Sequence, residues 1–290
     1  MNSDFSKYTG IGHGISFEHI SNEWDEEKCQ EFCSNLKQKY AEQTKAWTDD
    51  LHSEWLTRNY LAVKMILSAS VMLTSFEYCR EKNVRIVQPY LLYYAALSCC
   101  RAVIFTRPDF RLNGVDFYQM NHSKVLNVIG RHIEDAFPIS GPGFKSLLFK
   151  LRDDREMFSY KFPAQGIARS DMDDQFNSVV ELCSLLAENA QLNSECLEAS
   201  IIKYVVRDFV VKPEIVEKCF LYESESEGFV DHDDYYRTNY MVRKNWHPCN
   251  LRMMATEGLV EDYFGSWCSE NEDGGPYNPD KDWRIIFPFN

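Results

Sequence analysis

The chain has 290 residues, 44% hydrophobic and 14% aromatic, enough to bury a sizeable core without disulfide or metal staples. Its 31 basic and 44 acidic residues leave a formal charge of −13, which opposes sequence-independent binding to a phosphate backbone, so a nucleic-acid role needs a local basic cleft. Ten cysteines include no C-x-x-C pair, and Cys99 and Cys100 sit side by side in an apolar run. They read as small core residues of a cytosolic protein rather than a disulfide frame or a zinc site, and no metal or other cofactor is expected.

Residues 1–22 show no sustained period and read as an irregular lead-in. Gly10, Gly12 and Gly14 superficially resemble a phosphate loop, but no strand precedes them and a turn is the simpler reading. MNSDFSKYTG has neither the charged nor the apolar region of a signal peptide, and the apolar run Val63 to Leu73 holds Lys64 and falls short of the roughly 20 residues a bilayer needs. A soluble, cytoplasmic protein with no membrane partner is expected. From Glu23 to about Trp47, Cys29, Phe32, Leu36 and Tyr40 form one apolar stripe of a surface helix. Leu56 to Cys79 reads as a longer helix, apolar on nearly all faces, and the short connection 80–88 makes the next helix its antiparallel neighbour.

That next segment, Tyr90 to Thr106, is apolar on every side, opens after Pro89 and closes before Arg107-Pro108. It reads as the central helix of a bundle, yet it carries Arg101 near its middle. A buried guanidinium is costly unless it is paired or grips an anion. The structural reading pairs Arg101 with Asp153 or Asp154, and the functional one makes it an anion or RNA-phosphate ligand.

Asn113-Gly114 marks a turn, and a helix is expected from about Asn121 to Glu134 with Asn121 as its N-cap. His122 then lies in the first turn, where the positive helix end favours a neutral imidazole able to act as a base near pH 7, unless it merely faces solvent. Phe144 to Tyr160 follows, carrying Arg152, Asp153, Asp154 and Arg155 as a charged block that is either a solvated face or a binding face. A helix from Asp171 to Leu186 completes a bundle over 54–190, preceded by 1–53 and followed by an extension, 191–290, docked on it. In the extension, helices are expected at Ser194 to Val206, Pro213 to Leu221 and Asn250 to Phe264, with an acidic loop from Glu223 to Asp234. The tail carries Trp283, Ile285, Ile286 and Phe287 as a hydrophobic anchor. Asp231, His232, Asp233 and Asp234 are ligand-type residues without a second cluster and read as a solvated loop. Arg243, Trp246 and His247 form a basic and aromatic patch that can grip a nucleotide or serve as a surface turn.

Several short motifs stand in one register: Tyr93-Tyr94-Ala95-Ala96, Arg101-Ala102, His122-Ser123, and Leu151-Arg152 with Tyr160. In this register residues 54–190 resemble a HEPN domain of the small bacterial type. The resemblance implies an all-α domain, often dimeric, common in toxin–antitoxin and anti-phage systems. Active members are metal-independent ribonucleases that use an Arg followed, after four to six residues, by a His. None of the seven histidines here has an Arg at that distance, and Arg243 to His247 is one residue too short. The expected fold is therefore an all-α, HEPN-like helical bundle with a mainly helical C-terminal extension. The expected function is a non-catalytic or regulatory subunit acting through protein contacts, as a homodimer or in a hetero-complex, within a bacterial stress, toxin–antitoxin or anti-phage module. The first alternative is a ribonuclease with a rearranged site, with His122 as base and Arg101 or Arg152 on phosphate. The second is a nucleotide or small-ligand binder.

Overall fold

The computed structural model describes residues 5–11, 17–107, 120–164, 166, 168–205, 207–218, 221–223, 228–243 and 249–266. Two short helices, α1 (Ser6–Thr9) and α2 (Glu18–Glu23), lead into α3 (Glu26–Thr44) and the long α4 (Asp49–Glu81). Then come α5 (Gln88–Phe105), α6 (His122–Ala136), α7 (Gly141–Tyr160) and α8 (Arg169–Tyr204). The C-terminal part holds α9 (Pro213–Lys218), a small antiparallel hairpin of β1 (Leu221–Glu223) and β2 (Gly228–Val230), α10 (His232–Arg243), α11 (Leu251–Met254) and α12 (Glu257–Gly265). The fold is all-α, a helical bundle to which that hairpin is a minor addition.

Local chemistry sets where the helices begin. The side chains of Asp25, Thr48 and Asn121 accept hydrogen bonds from the third backbone N–H beyond them, at 2.8, 3.2 and 2.8 Å, and so cap α3, α4 and α6. Pro89 and Pro142 occupy the first turns of α5 and α7, where a missing N–H costs nothing. Asn83, at φ 57°, takes the left-handed conformation that lets the α4 to α5 connection turn back on itself.

The bundle forms around α5. Leu92, Tyr93, Ala95, Ala96, Cys99, Cys100, Val103 and Ile104 are all buried, and α5 packs against α4, α6, α7 and α8. Its small residues allow close helix approach, which suits cysteine as a compact core side chain. Among the described residues α4 alone is long and apolar enough to cross a membrane, and 67% of that window is buried against the protein itself. Among the described residues the deepest cation is Arg58 on α4, 3% exposed. Its guanidinium donates to Phe105 O at 2.8 Å, to Ile104 O at 3.0 Å and to Arg107 O, and it pairs with Glu54 at 3.1 Å. Carbonyls at the end of α5, which have no partner within the helix, are thereby satisfied by α4.

Several expectations are corrected. The lead-in is not irregular: Phe5, Phe17, Ile20 and Trp24 are core residues, and the first turn of α2 is capped by Glu188 of α8, whose carboxylate accepts from His19 N at 3.1 Å and Ile20 N at 2.8 Å. The separate helices expected at 171–186 and 194–206 are one helix of 36 residues, because the polar run between them is buried and hydrogen-bonded rather than solvated. The boundaries expected near 53 and 190 fall inside α4 and α8. The helix expected to reach Leu221 stops at Lys218, and Leu221 opens β1. The acidic loop holds β2 and the start of α10: Asp231 accepts from Asp234 N at 3.1 Å as a cap, and buried Asp234 takes the Tyr60 hydroxyl at 2.6 Å and pairs with Lys64. Asn250 to Phe264 is two helices because Thr256 caps a second start, accepting from Leu259 N at 3.4 Å. The turns expected at Gly12 to Gly14 and Asn113-Gly114, and the hydrophobic tail, lie outside the described residues.

The C-terminal elements join the bundle through polar contacts. Asn59 Nδ2 donates to Cys249 O at 3.2 Å, Asn250 Nδ2 to Glu198 Oε2 at 2.5 Å, and Arg252 N to Gln191 Oε1 at 3.0 Å. Burial pushes the Glu198 carboxyl up to about 7, the Asn250 amide opposing the shift.

Two measurements check these contacts. Arg58→Ala exposes the end of α5 to an empty, dry pocket and is expected to lower unfolding stability by about 3–5 kcal/mol, read from the urea midpoint. Glu198 has a folded pKa above its unfolded one, so its favourable contribution is complete below the unfolded value and disappears as pH rises through about 7. The stability difference between wild type and Glu198→Gln should therefore shift against the wild type by about 3 kcal/mol between pH 4.5 and pH 8, in paired thermal or urea scans.

Candidate functional site

One polar stripe interrupts the apolar surface of α5. Tyr90, Tyr94 and Arg101 stand at i, i+4 and i+11, which places them on one helix face, with Tyr93 beside them. The stripe faces the first turn of α6 and the C-terminal half of α7. Asn121 starts α6 so that His122 enters at its first position, and the Tyr93 hydroxyl meets His122 Nδ1 at 3.0 Å. The His122 ring also stands edge-on to Tyr94, centroids 5.8 Å apart. From α7, Arg155 places its guanidinium 5.3 Å from the centre of the Tyr93 ring and 6.0 Å from that of Tyr94.

The electrostatics of this cluster are one-sided. Arg101 and Arg155 each have a buried Nε without a hydrogen-bond partner, and neither forms an ion pair among the described residues. Burial lowers the His122 pKa below its ordinary value, and the two guanidinium charges push the same way. His122 is therefore neutral at pH 7. Burial pushes the Tyr93 hydroxyl up to about 12, so it stays protonated and serves as a fixed hydrogen-bonding group. If Nδ1–H donates to the tyrosine oxygen, the Nε2 lone pair is a base. If Nδ1 accepts, Nε2–H is a donor to an anion. Beside two cations the ring can thus offer an oxyanion substrate either a base or a hydrogen-bond donor, according to its tautomer.

The structure brings together Arg101, His122 and Arg155 of the residues singled out in the sequence. The other positions stand elsewhere. Asp153 and Asp154 do not pair with Arg101: Asp153 accepts from its neighbour Arg152 at 2.7 and 3.0 Å, while Asp154 takes Lys150 at 2.7 Å and Gln175 Nε2 at 3.0 Å. The rotation of α7 decides this, turning Arg155 toward α5 and the two acids away. Arg152 lies over Phe149, with 5.1 Å between guanidinium and ring, and it is Arg155, three residues later, that stands beside Tyr93 and Tyr94. Arg243 ends α10, exposed, with no hydrogen bond or ion pair among the described residues, and Trp246 and His247 lie outside them. Among the described residues no group of three or more His, Cys, Asp or Glu side chains has metal-holding geometry.

A separate groove of about 540 Å³ runs between α3 and α6, lined among others by Lys28, Phe32, Arg107, Arg131 and Asp135. Its mixed charges give it no preference of sign. Sequence reasoning put His122 and Arg101 in one site but took Arg152 rather than Arg155 as the arginine that joins them from α7. The one visible trace of the cluster was the spacing of Tyr90, Tyr94 and Arg101 on an otherwise apolar helix.

If the two arginines hold His122 neutral, Arg101→Gln or Arg155→Gln should raise its pKa toward the ordinary histidine value. Titration of the ring carbon protons by NMR reads this directly, and an unmoved or lowered value in both variants contradicts the cluster. Against family models, curated proteins and solved structures, this chain has no match.

Proposed function

We propose that the protein is a HEPN-like cytoplasmic protein that binds RNA through a phosphodiester at Arg101, Arg155 and His122 and cleaves it at the 2′-hydroxyl. The observation that carries this reading is the pair of guanidinium groups, both with a buried unpartnered Nε, beside the His122 ring, whose pKa burial and the two charges lower. In such a step His122 Nε2 takes the proton of the 2′-hydroxyl and the 2′-oxygen forms a bond to phosphorus. The bond from phosphorus to the 5′-oxygen breaks, that oxygen takes a proton from water as it leaves as a hydroxyl, and His122 gives the proton it took back to solvent. The products are a 2′,3′-cyclic phosphate and a 5′-hydroxyl end. The two arginines neutralise the charge that builds on the non-bridging oxygens, and Tyr93 orients the imidazole. The formal charge of −13 opposes non-specific RNA binding, which confines affinity to this basic cluster.

A second reading has its own observation. Val84, Ile86 and Val87 are 42%, 49% and 37% exposed in the turn between α4 and α5, an apolar edge on an acidic protein. It fits a non-catalytic, regulatory subunit of a stress, toxin–antitoxin or anti-phage module that acts through protein contacts, self-association first among them.

Incubating the full chain with a labelled single-stranded RNA in chelator separates the two readings. Cleavage that falls by about 100-fold or more in His122→Ala, and falls also in Arg101→Ala and Arg155→Ala, supports the first. Intact RNA, with a dimer in sedimentation that Ile86→Asp dissociates, supports the second.

A further inference from the structure

Beyond Arg155, α7 ends at Tyr160 and is followed by Lys161-Phe162, and the two aromatic side chains are 81% and 65% exposed. Single exposed apolar side chains are ordinary, but two large rings within three residues are not, and here a cation stands between them. The backbone holds them outward. Lys161 N and Phe162 N both donate to Met157 O, at 2.9 and 3.1 Å, and Phe162 takes φ 43°, a conformation that costs a bulky residue energy and turns its side chain off the helix. Below them Ser159 Oγ donates to the Tyr90 hydroxyl at 3.3 Å, tying the end of α7 to the start of α5. The Tyr160 phenol lies near enough to Arg155 to act on its charge. Tyr160 thus neighbours Arg155, Arg155 the Tyr94 ring, Tyr94 the His122 ring, and His122 feels the charge of Arg101, a series of ring, cation, ring, base and cation. Exposed rings alternating with cations match a chain in which bases alternate with phosphates, and only bases that are not already paired and stacked can lie on them.

Resting on the phosphodiester reading, we propose that Tyr160 and Phe162 stack the unpaired bases next to the phosphate held at Arg155, so that this site selects single-stranded over duplex RNA. Lys161 meets the intervening phosphate. The rings are exposed and support no core contact, so replacing them leaves the fold intact and changes only what the surface can hold.

The test uses the full chain and a labelled 12-nucleotide RNA carrying 2′-O-methyl groups, which cannot be cleaved, as a single strand and as a blunt duplex at one fixed salt concentration. Fluorescence anisotropy should show the single strand binding at least about 10-fold tighter than the duplex. Tyr160→Ala and Phe162→Ala should each weaken single-strand binding by about 5- to 100-fold at unchanged melting temperature, and Tyr160→Trp should retain it. If the wild type binds neither RNA, the phosphodiester reading itself fails. If it binds both equally, or binds the single strand with an affinity the alanine variants do not change, the phosphodiester reading stands and the stacking platform is overturned. A change in sedimentation of the alanine variants without a change in RNA affinity likewise overturns it, since the rings then serve a protein contact.

Discussion

The grip of Arg58 on the carbonyl end of α5 is the contact on which the remaining geometry depends. A guanidinium 3% exposed is tolerated because each of its faces has a partner: three main-chain oxygens of 104–107 and the Glu54 carboxylate. The result is more than a neutral balance. A helix end with unsatisfied carbonyls has no preferred rotation in an apolar core, whereas a planar fork of donors fixes one. With α5 fixed against α4, the face bearing Tyr90, Tyr94 and Arg101 has only one direction in which to look, toward α6 and α7.

There the protein does the opposite of what it does at Arg58. Arg101 and Arg155 are drawn partly out of water with no carboxylate beside them among the described residues, and Arg155 is given the rings of Tyr93 and Tyr94 instead. Ring faces return part of the lost hydration energy to a cation but leave its charge uncancelled. A cluster built this way is less stable than an ion-paired one, and the uncancelled charge is what an oxyanion can use. His122 feels the same field, which together with its burial keeps the imidazole neutral. The acids that might have quenched the cluster, Asp153 and Asp154, are occupied by Arg152, Lys150 and Gln175.

A second polar feature runs along α8. Glu188, Gln191, Ser194, Glu195 and Glu198 are all buried, and their partners come from α2, α4 and the start of α11. These contacts tie α2 and α11 to the bundle, where apolar packing alone would leave the register of such short helices poorly specified. Glu198, raised to about 7, makes that join sensitive to neutral pH.

The sequence by itself determined the helices whose signals are local: the apolar run of α5 behind Pro89, the Asn121 cap that puts His122 in a first turn, and the amphipathic stripe of α6. It also placed Arg101, His122 and Arg155 on their elements. What it could not contain was rotation. One residue turns a helix by about 100°, so nothing in Arg152-Asp153-Asp154-Arg155 says which member of the block meets α5 until packing chooses the face. The same holds for Arg58, an inconspicuous residue in Leu56 to Tyr60 whose main-chain partners lie 46 to 49 positions away, and for α2, capped by a carboxylate 168 residues downstream. Polar residues on α8 looked like a break because burial with partners and exposure to water leave the same trace in composition. Only the tertiary structure decided between them, since the free energy of a buried polar group is set by the partners that long-range packing brings to it.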